Sequence, residues 1–377
     1  MSIKIFVITH KPFTPPSDPM YIPLHVGRAN SSDLGFLGDD TGDSISALNP
    51  SFCELTGMYW LWKNYHAADF IGICHYRRYL INEASSVKTS SIFTEPQLEK
   101  LLSDYDIITT KLLTLTCSYY DGFQENHHIK DLDTTAQVLK EKYPAYADTF
   151  ETLVHGPHTY FGNIFITSKE NYDRYCTWLF DILFEVQKRT DMTGYNDYTK
   201  RLFGFLSEFL QTVWIRFHRL RVCECKVGMV GEKYETKKLK EQLAAFFEKQ
   251  DYAGAGNCFL ECYRKRPDVL MEASDVTGEL RLCMQIISTC SFETELCQTC
   301  ILEHIRDYHS LIQYFHRLNA AVNHVLSDQP TEEDLQFLRQ NKYITPAAID
   351  ISLKLFCKEE TLRQKTAKKI ERICQNH

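Results

Sequence analysis

The first apolar run is short and unbroken, Ile3-Lys4-Ile5-Phe6-Val7-Ile8-Thr9. Its length and β-branched content predict a buried strand. Pro12, Pro15, Pro16 and Pro19 follow and exclude a regular element there. Residues 50–65 carry Phe52, Leu55, Met58, Tyr59, Trp60, Leu61 and Trp62 behind Pro50, which predicts an aromatic-rich helix. Phe70-Ile71-Gly72-Ile73-Cys74 is continuously apolar and of strand length, the pattern of a strand covered on both faces. It stops abruptly at His75-Tyr76-Arg77-Arg78-Tyr79. The pattern then predicts a helix over 95–103 and a strand over 106–110. A polar stretch with His127 and His128 leads to a helix over 133–142 and a strand over 160–167. Amphipathic helices over 169–189 and 197–218 and a strand over 221–229 complete this part. Strands alternating with helices predict an α/β domain of three layers.

After about residue 232 the period changes, and helical spacing dominates to His377. Segments 234–249, 251–265, 268–289, 291–317, 331–340 and 345–373 read as consecutive helices. The expected organisation is an α/β domain over 1–232 and an all-α domain over 233–377, in keeping with a length of 377 residues. No internal repeat is visible.

A net charge of −7 argues against a broad nucleic-acid-binding surface. No run approaches the roughly 18 apolar residues of a membrane span. The N-terminal apolar stretch is too short for a signal peptide, so the chain is expected in the cytoplasm, or at the inner face of the cell membrane. The 14 cysteines have no framework spacing and are expected to be reduced. Cys223 and Cys225, and Cys297, Cys300 and His304 on one face of a predicted helix, are the candidates for metal ligation; buried small hydrophobes are the plainer reading. Lys237-Lys238-Leu239-Lys240 and Lys365–Arg372 are solvated helix faces or, on a sharper reading, contacts with an anionic membrane surface or glycolipid.

The phosphate loop of Walker type, the dinucleotide fingerprint, the serine nucleophile elbow and the zinc-protease helix are all missing, which weakens ATPase, dehydrogenase, hydrolase and peptidase readings. Polar residues instead follow apolar strands, at the edge where open α/β sheets bind ligands. His10 and Lys11 end the first strand; His75, Tyr76, Arg77 and Arg78 end the next. Two arginines there need an anionic partner. Internal carboxylates would serve, and so would a ligand diphosphate, which guanidinium forks bind bidentately.

These residues also carry a resemblance. Asn49-Pro50-Ser51-Phe52-Cys53-Glu54-Leu55-Thr56, Tyr59-Trp60-Leu61-Trp62-Lys63-Asn64 and Gly72-Ile73-Cys74-His75-Tyr76-Arg77-Arg78-Tyr79 are its core. Phe161-Gly162-Asn163-Ile164-Phe165-Ile166, Tyr175-Cys176-Thr177-Trp178-Leu179-Phe180 and Arg201-Leu202-Phe203-Gly204-Phe205-Leu206-Ser207-Glu208 extend it over roughly residues 3–230. The sequence resembles a bacterial family of capsular- and exopolysaccharide glycosyltransferases, long filed as a domain of unknown function. The resemblance implies a GT-A-like, Rossmann-like nucleotide-sugar transferase domain. It implies transfer of a hexosyl group, of galactose type, from a nucleoside diphosphate sugar to a glycan or lipid-linked acceptor. The setting would be capsular, exopolysaccharide or lipopolysaccharide biosynthesis.

GT-A enzymes usually hold a divalent metal, Mn or Mg, on an Asp-x-Asp after a central strand. Here that place reads His75-Tyr76-Arg77-Arg78, so the metal site is unknown and no cofactor is assigned. Arginines can neutralise a leaving diphosphate instead. Two other Asp-x-Asp triplets exist, Asp104-Tyr105-Asp106, which precedes its strand, and Asp131-Leu132-Asp133, read as a helix cap. His10, His75, Tyr76, Arg77, Arg78 and Asn163 are the donor-binding candidates, and His127 and His128 the acceptor-binding ones. Glu208 is the candidate base for the acceptor hydroxyl, with Asp191 and Asp197 in reserve; a salt bridge of Glu208 to Arg201 is the structural alternative. Asp39, Asp40 and Asp43 lie in a Gly-rich stretch, read as an ordinary turn or a flexible loop over the donor. Tyr59, Trp60 and Trp62 read as core before sugar platforms. The rivals are a non-catalytic, degenerate transferase acting as a scaffold in polysaccharide assembly, and a phosphate-handling hydrolase using His75 and His127.

Overall fold

The computed structural model describes residues 1–82, 92–271 and 274–375. The chain divides into two compact units, Met1–Val230 and Gly231–His377.

The strands of the first unit are β1 (Ile3–Thr9), β2 (Tyr21–His25), β3 (Leu37–Gly38), β4 (Phe70–His75), β5 (Arg78–Ile81), β6 (Ile107–Thr110), β7 (Leu113–Thr114), β8 (His158–Thr159), β9 (Phe165–Ser168) and β10 (Val222–Met229). β1 lies between β2 and β4, parallel to both, and β3 extends the sheet beyond β2. On the other side β4 meets β9 antiparallel, β9 meets β6 antiparallel, and β6 meets β10 parallel. The order across the sheet is therefore 3-2-1-4-9-6-10, with β9 reversed. β5 folds back from β4 and runs antiparallel to the end of β10.

Alternation along β1 sorts its side chains onto two faces, as the pleat requires. Ile3, Ile5 and Val7 enter a core with Cys74, Ile108 and Ile166, while Phe6 and Ile8 enter one with Ile71, Ile73 and Phe165. The second core is the larger. Helices α1 (Asn49–Phe52), α2 (Leu55–Asn64), α4 (Tyr119–Asn126), α5 (Ile129–Lys142), α6 (Ala147–Val154), α7 (Lys169–Arg189) and α8 (Leu202–Phe217) cover it. The opposite face is closed by α3 (Glu95–Asp104) through Leu98 and Leu102. Three layers result.

The differences from the sequence reading have local causes. β2 falls in a segment that Pro23 disguises, since proline lacks the N–H that a ladder uses. The helix expected over 50–65 breaks at Cys53, whose φ of 50° is left-handed, and resumes at Leu55. The strand expected from residue 160 begins only at Phe165, because Gly162 (φ 98°) and Asn163 (φ 47°) turn the chain first. The Gly-rich stretch 37–43 is no free lid. Asp39 is fully buried and accepts from the N–H groups of Gly27 and Arg28, and Asp43 accepts from the Tyr59 hydroxyl on α2.

The second unit is helical: α9 (Tyr234–Glu248), α10 (Tyr252–Lys265), α11 (Glu279–Cys297), α12 (Tyr308–Leu326), α13 (Glu332–Gln340), α14 (Pro346–Phe356) and α15 (Glu360–Gln375). Leu243, Phe247, Ile286, Phe315, Leu318 and Leu353 form the heart of its core. The helix expected over 268–289 overlaps residues 272–273, which lie outside the described residues. α11 begins eleven residues after that segment does and runs on to Cys297, where a left-handed Gln298 ends it. The segment 345–373 is two helices, not one. Cys297 is exposed and Cys300, beyond the helix end, is buried, so the two do not share a helix face. Lys240 is also not a surface charge: it is buried, with Glu232 at 2.7 Å and Glu279 at 2.9 Å. Among the described residues no helix is long and apolar enough to cross a membrane.

Candidate functional site

The parallel strands β1, β2, β3 and β4 all end at one edge of the sheet, and the turn before the reversed β9 lies at the same edge. β4 ends at His75, and only Tyr76 and Arg77 separate it from β5, so Arg78 stands directly across from His75. This corrects the expectation that both arginines simply follow the strand. Arg78 is fixed within a hairpin, whereas Arg77 occupies the turn, its guanidinium carbon 6.0 Å from the centre of the Tyr76 ring. His10 is exposed at the end of β1 and meets Tyr76 edge-on at 5.7 Å.

Gly162 ties the edge together. Its carbonyl accepts from His75 Nε2 at 2.8 Å, so that nitrogen carries the proton, and its N–H favours the ionised form of the Glu208 carboxyl. A Cβ at residue 162 would stand 3.5 Å from Arg78 Nη1, which places the guanidinium against this turn. The φ of 98° is one that side chains rarely adopt, so glycine is required here by conformation.

Asn163 is fully buried. Its amide nitrogen donates to Glu54 Oε1 at 2.6 Å and to Ser207 Oγ at 2.8 Å. The network joins the break between α1 and α2, the β9 turn and α8. Asn163 is a donor-binding candidate within the strand expected over 160–167; its amide nitrogen anchors Glu54, and its Oδ1 is buried with no hydrogen-bond partner among the described residues.

α8 brings Glu208 to the same place. Burial pushes the Glu208 carboxyl up to about 8, with the nearby Glu54 acting in the same direction, while Arg78, the Gly162 N–H and Arg201 oppose the rise. His75 moves the other way, down to about 4, chiefly through burial and then through Arg78. His75 is therefore neutral at physiological pH. Arg201 lies one turn before Gly204, with its Nε 3.5 Å from Cys53 Sγ and its guanidinium carbon 5.3 Å from the centre of the Phe205 ring. The site thus gathers two carboxylates, two guanidiniums and a neutral imidazole at one sheet edge.

The remaining candidates lie around or away from this cluster. His127 is half-buried, not in an exposed loop: its ring stands 4.4 Å from Phe205 and stacks on Tyr198 at 5.3 Å. Burial lowers it to about 4, followed by its neighbours His128 and Arg201. His128 is exposed and stacks on Tyr195 at 4.1 Å. Asp191 and Asp197 are exposed on the segment between α7 and α8, and neither hydrogen-bonds to the cluster; Asp191 accepts from the Thr193 N–H. Asp106 is held by a bidentate Arg221 fork, and Asp131 is buried against the Tyr195 hydroxyl. Among the described residues no group of three or more His, Cys, Asp or Glu is arranged to hold a metal ion. A cation placed between Glu54 and Glu208 would face Arg78 and Arg201, so this donor set does not fit a divalent metal. Glu54 and Ser207 were not among the sequence candidates. Glu54 had a signal: it lies inside the Asn49–Thr56 block that carries the resemblance.

Residues 4–219 match the profile of a family described as a domain of unknown function, DUF4422, and the chain belongs to that family. No curated protein matches the chain. Among solved structures it is similar to WbbM, a bifunctional glycosyltransferase in its apo form, at 31% identity and a TM-score of 0.58. The match covers 62% of this chain and 46% of that one, so the chain spans less than half the length of the solved protein it matches. Together these findings support a glycosyltransferase-related family.

Proposed function

We propose that the chain is a glycosyltransferase with a GT-A-like first unit, moving a hexosyl group from a nucleoside diphosphate sugar to a hydroxyl of a glycan or lipid-linked acceptor. One observation carries the reading: Arg78 and Arg201 stand at the same sheet edge as Glu208, a carboxyl whose proton affinity is tuned close to neutral pH. The guanidiniums suit a diphosphate leaving group and the carboxylate suits a hydroxyl proton. In the transfer, the acceptor oxygen bonds to the anomeric carbon while the bond from that carbon to the diphosphate oxygen breaks. Glu208 takes the hydroxyl proton, and the arginines receive the charge that develops on the diphosphate. Displacement in one step inverts the anomeric centre. The likeness to a glycosyltransferase of known structure supports the class. A role in capsular, exopolysaccharide or lipopolysaccharide assembly, a galactose-type donor and work at the inner membrane face are the finer parts of the proposal.

The direct test incubates the purified chain with a panel of nucleoside diphosphate sugars and follows release of the nucleoside diphosphate. Slow hydrolysis of one donor, accelerated by a saccharide acceptor, is expected. No turnover and no thermal shift with any donor would leave the scaffold reading in its place. Arg78→Ala should weaken donor binding by about tenfold or more, the scale of a charge-assisted contact to phosphate. Isothermal titration with the active donor checks this, and an unchanged Kd would remove Arg78 from the diphosphate site. Turnover should also persist in excess chelator, since Arg78 and Arg201 supply the positive charge that a metal would otherwise bring to the diphosphate. Loss on chelation with recovery in manganese would place a metal site elsewhere.

A further inference from the structure

The second unit carries a corner whose chemistry the transfer reaction does not use. α14 ends at Phe356 and α15 starts at Glu360. Leu355, Phe356 and Leu362 project here with relative exposures of 54%, 44% and 37%. Large side chains of this kind are usually withdrawn from water, and three within eight residues form a local apolar tip. Lys354 and Lys358 flank them.

α15 adds a charged stripe. At 3.6 residues per turn, Lys365, Lys368, Lys369 and Arg372 fall within roughly 100° of one another around its axis. Thr366 and Ile370 face the core, so the stripe points to solvent. Glu360 and Glu371 lie on the flank. Between residues 354 and 372 seven basic side chains stand against Glu359, Glu360 and Glu371, in a chain whose net charge is −7. The ion pairs Lys354–Asp350 and Lys369–Asp328 are exposed and weak, and they leave the stripe positive. A basic stripe beside an apolar tip is complementary to a surface that is anionic outside and apolar just beneath. A soluble acidic protein would match the charge but has no interior to take Leu355 and Phe356 without a groove of its own.

We infer that the α14–α15 corner docks the protein on an anionic lipid bilayer, with Leu355, Phe356 and Leu362 entering the headgroup boundary and Lys365, Lys368, Lys369 and Arg372 over the lipid phosphates. This goes beyond the transfer reading and does not depend on Glu208 or Arg78.

The test is co-sedimentation of the full chain with vesicles of phosphatidylcholine alone and with about one-third phosphatidylglycerol. Binding is expected only with the anionic lipid and should fall with rising salt. K365A/K368A should lower the partition coefficient about 30-fold, at about fivefold per lysine. L355S/F356S should lower it by about tenfold or more through lost apolar burial. Both variants change exposed side chains, so circular dichroism and turnover on a water-soluble acceptor should match the parent. Equal binding to neutral and anionic vesicles, no binding to either, or variants that bind like the parent would each overturn the proposal. An inactive parent that still docks on anionic vesicles would sink the transfer reading and leave this one standing.

Discussion

Glu208→Gln is expected to lower turnover by about 10²-fold or more, the usual scale for a lost general base. The amide keeps the shape of the side chain and its place on α8 but cannot take the hydroxyl proton. Donor affinity should change little, because the diphosphate contacts fall to Arg78 and Arg201. The pH dependence is the sharper check. Glu208 works only when ionised, and its carboxyl stands at about 8 in the free protein. In the parent, kcat/KM should climb with pH through about 8 and then level; in the Gln variant that limb should vanish. His75, lowered to about 4, contributes no titration in this range.

Stability should move in the opposite sense. A carboxyl raised in the folded state holds its proton where the unfolded chain, at about 4.3, has released it. The folded state then binds more protons between that value and about 8, so stability falls as pH rises across the window. Gln removes this penalty. The variant should melt above the parent at pH 9 and lose that advantage at pH 5. A variant that is both active and without this shift would show Glu208 to be an ordinary surface carboxylate.

The sheet edge that carries the candidate site was legible in the sequence. The Phe70–Cys74 run announces a central strand because both faces of β4 are covered, and whatever follows such a strand arrives at the ligand edge. The placing of His75 and Arg78 follows from that topology, whereas Glu208 is named through the resemblance to GT-A transferases. What stayed hidden depends on backbone conformation and on contacts far apart in sequence. In Phe161-Gly162-Asn163-Ile164 the middle pair turns the chain, but the apolar pattern around it runs on as a strand and masks the turn. The left-handed Asn163 is visible only in three dimensions. Glu54 becomes part of the site through a partner 109 residues away. Pro23 hides β2, and the break at Cys53 cuts an aromatic-rich run that periodicity reads as one helix. In the second unit the amphipathic pattern finds helices but misplaces their ends. Helical spacing continues across a stop such as Gln298, which only its left-handed φ reveals.

Asn163→Ala tests whether the buried network is what holds the site in shape. The change removes two donors from a carboxylate-centred network, worth about 2 kcal/mol for contacts to a charged group. It also forces alanine into a left-handed conformation, which costs about another 1 kcal/mol. For a unit of this size the sum of about 3 kcal/mol should lower Tm by roughly 10 °C. The measurement is selective, because all four tryptophans, Trp60, Trp62, Trp178 and Trp214, lie in the first unit, so tryptophan fluorescence follows its melting alone. Asn163→Gly accepts the φ of 47° but also lacks the amide, so it should fall between the parent and Ala. Freed from the amide, Glu54 can swing out of the cleft, and with it goes part of the field that raises the Glu208 carboxyl. The limb in kcat/KM should then shift below pH 8 in both variants, by the same amount whether or not the backbone is strained. A drop in Tm with the limb unmoved would mean that the network supports the fold while Glu208 is tuned by burial alone.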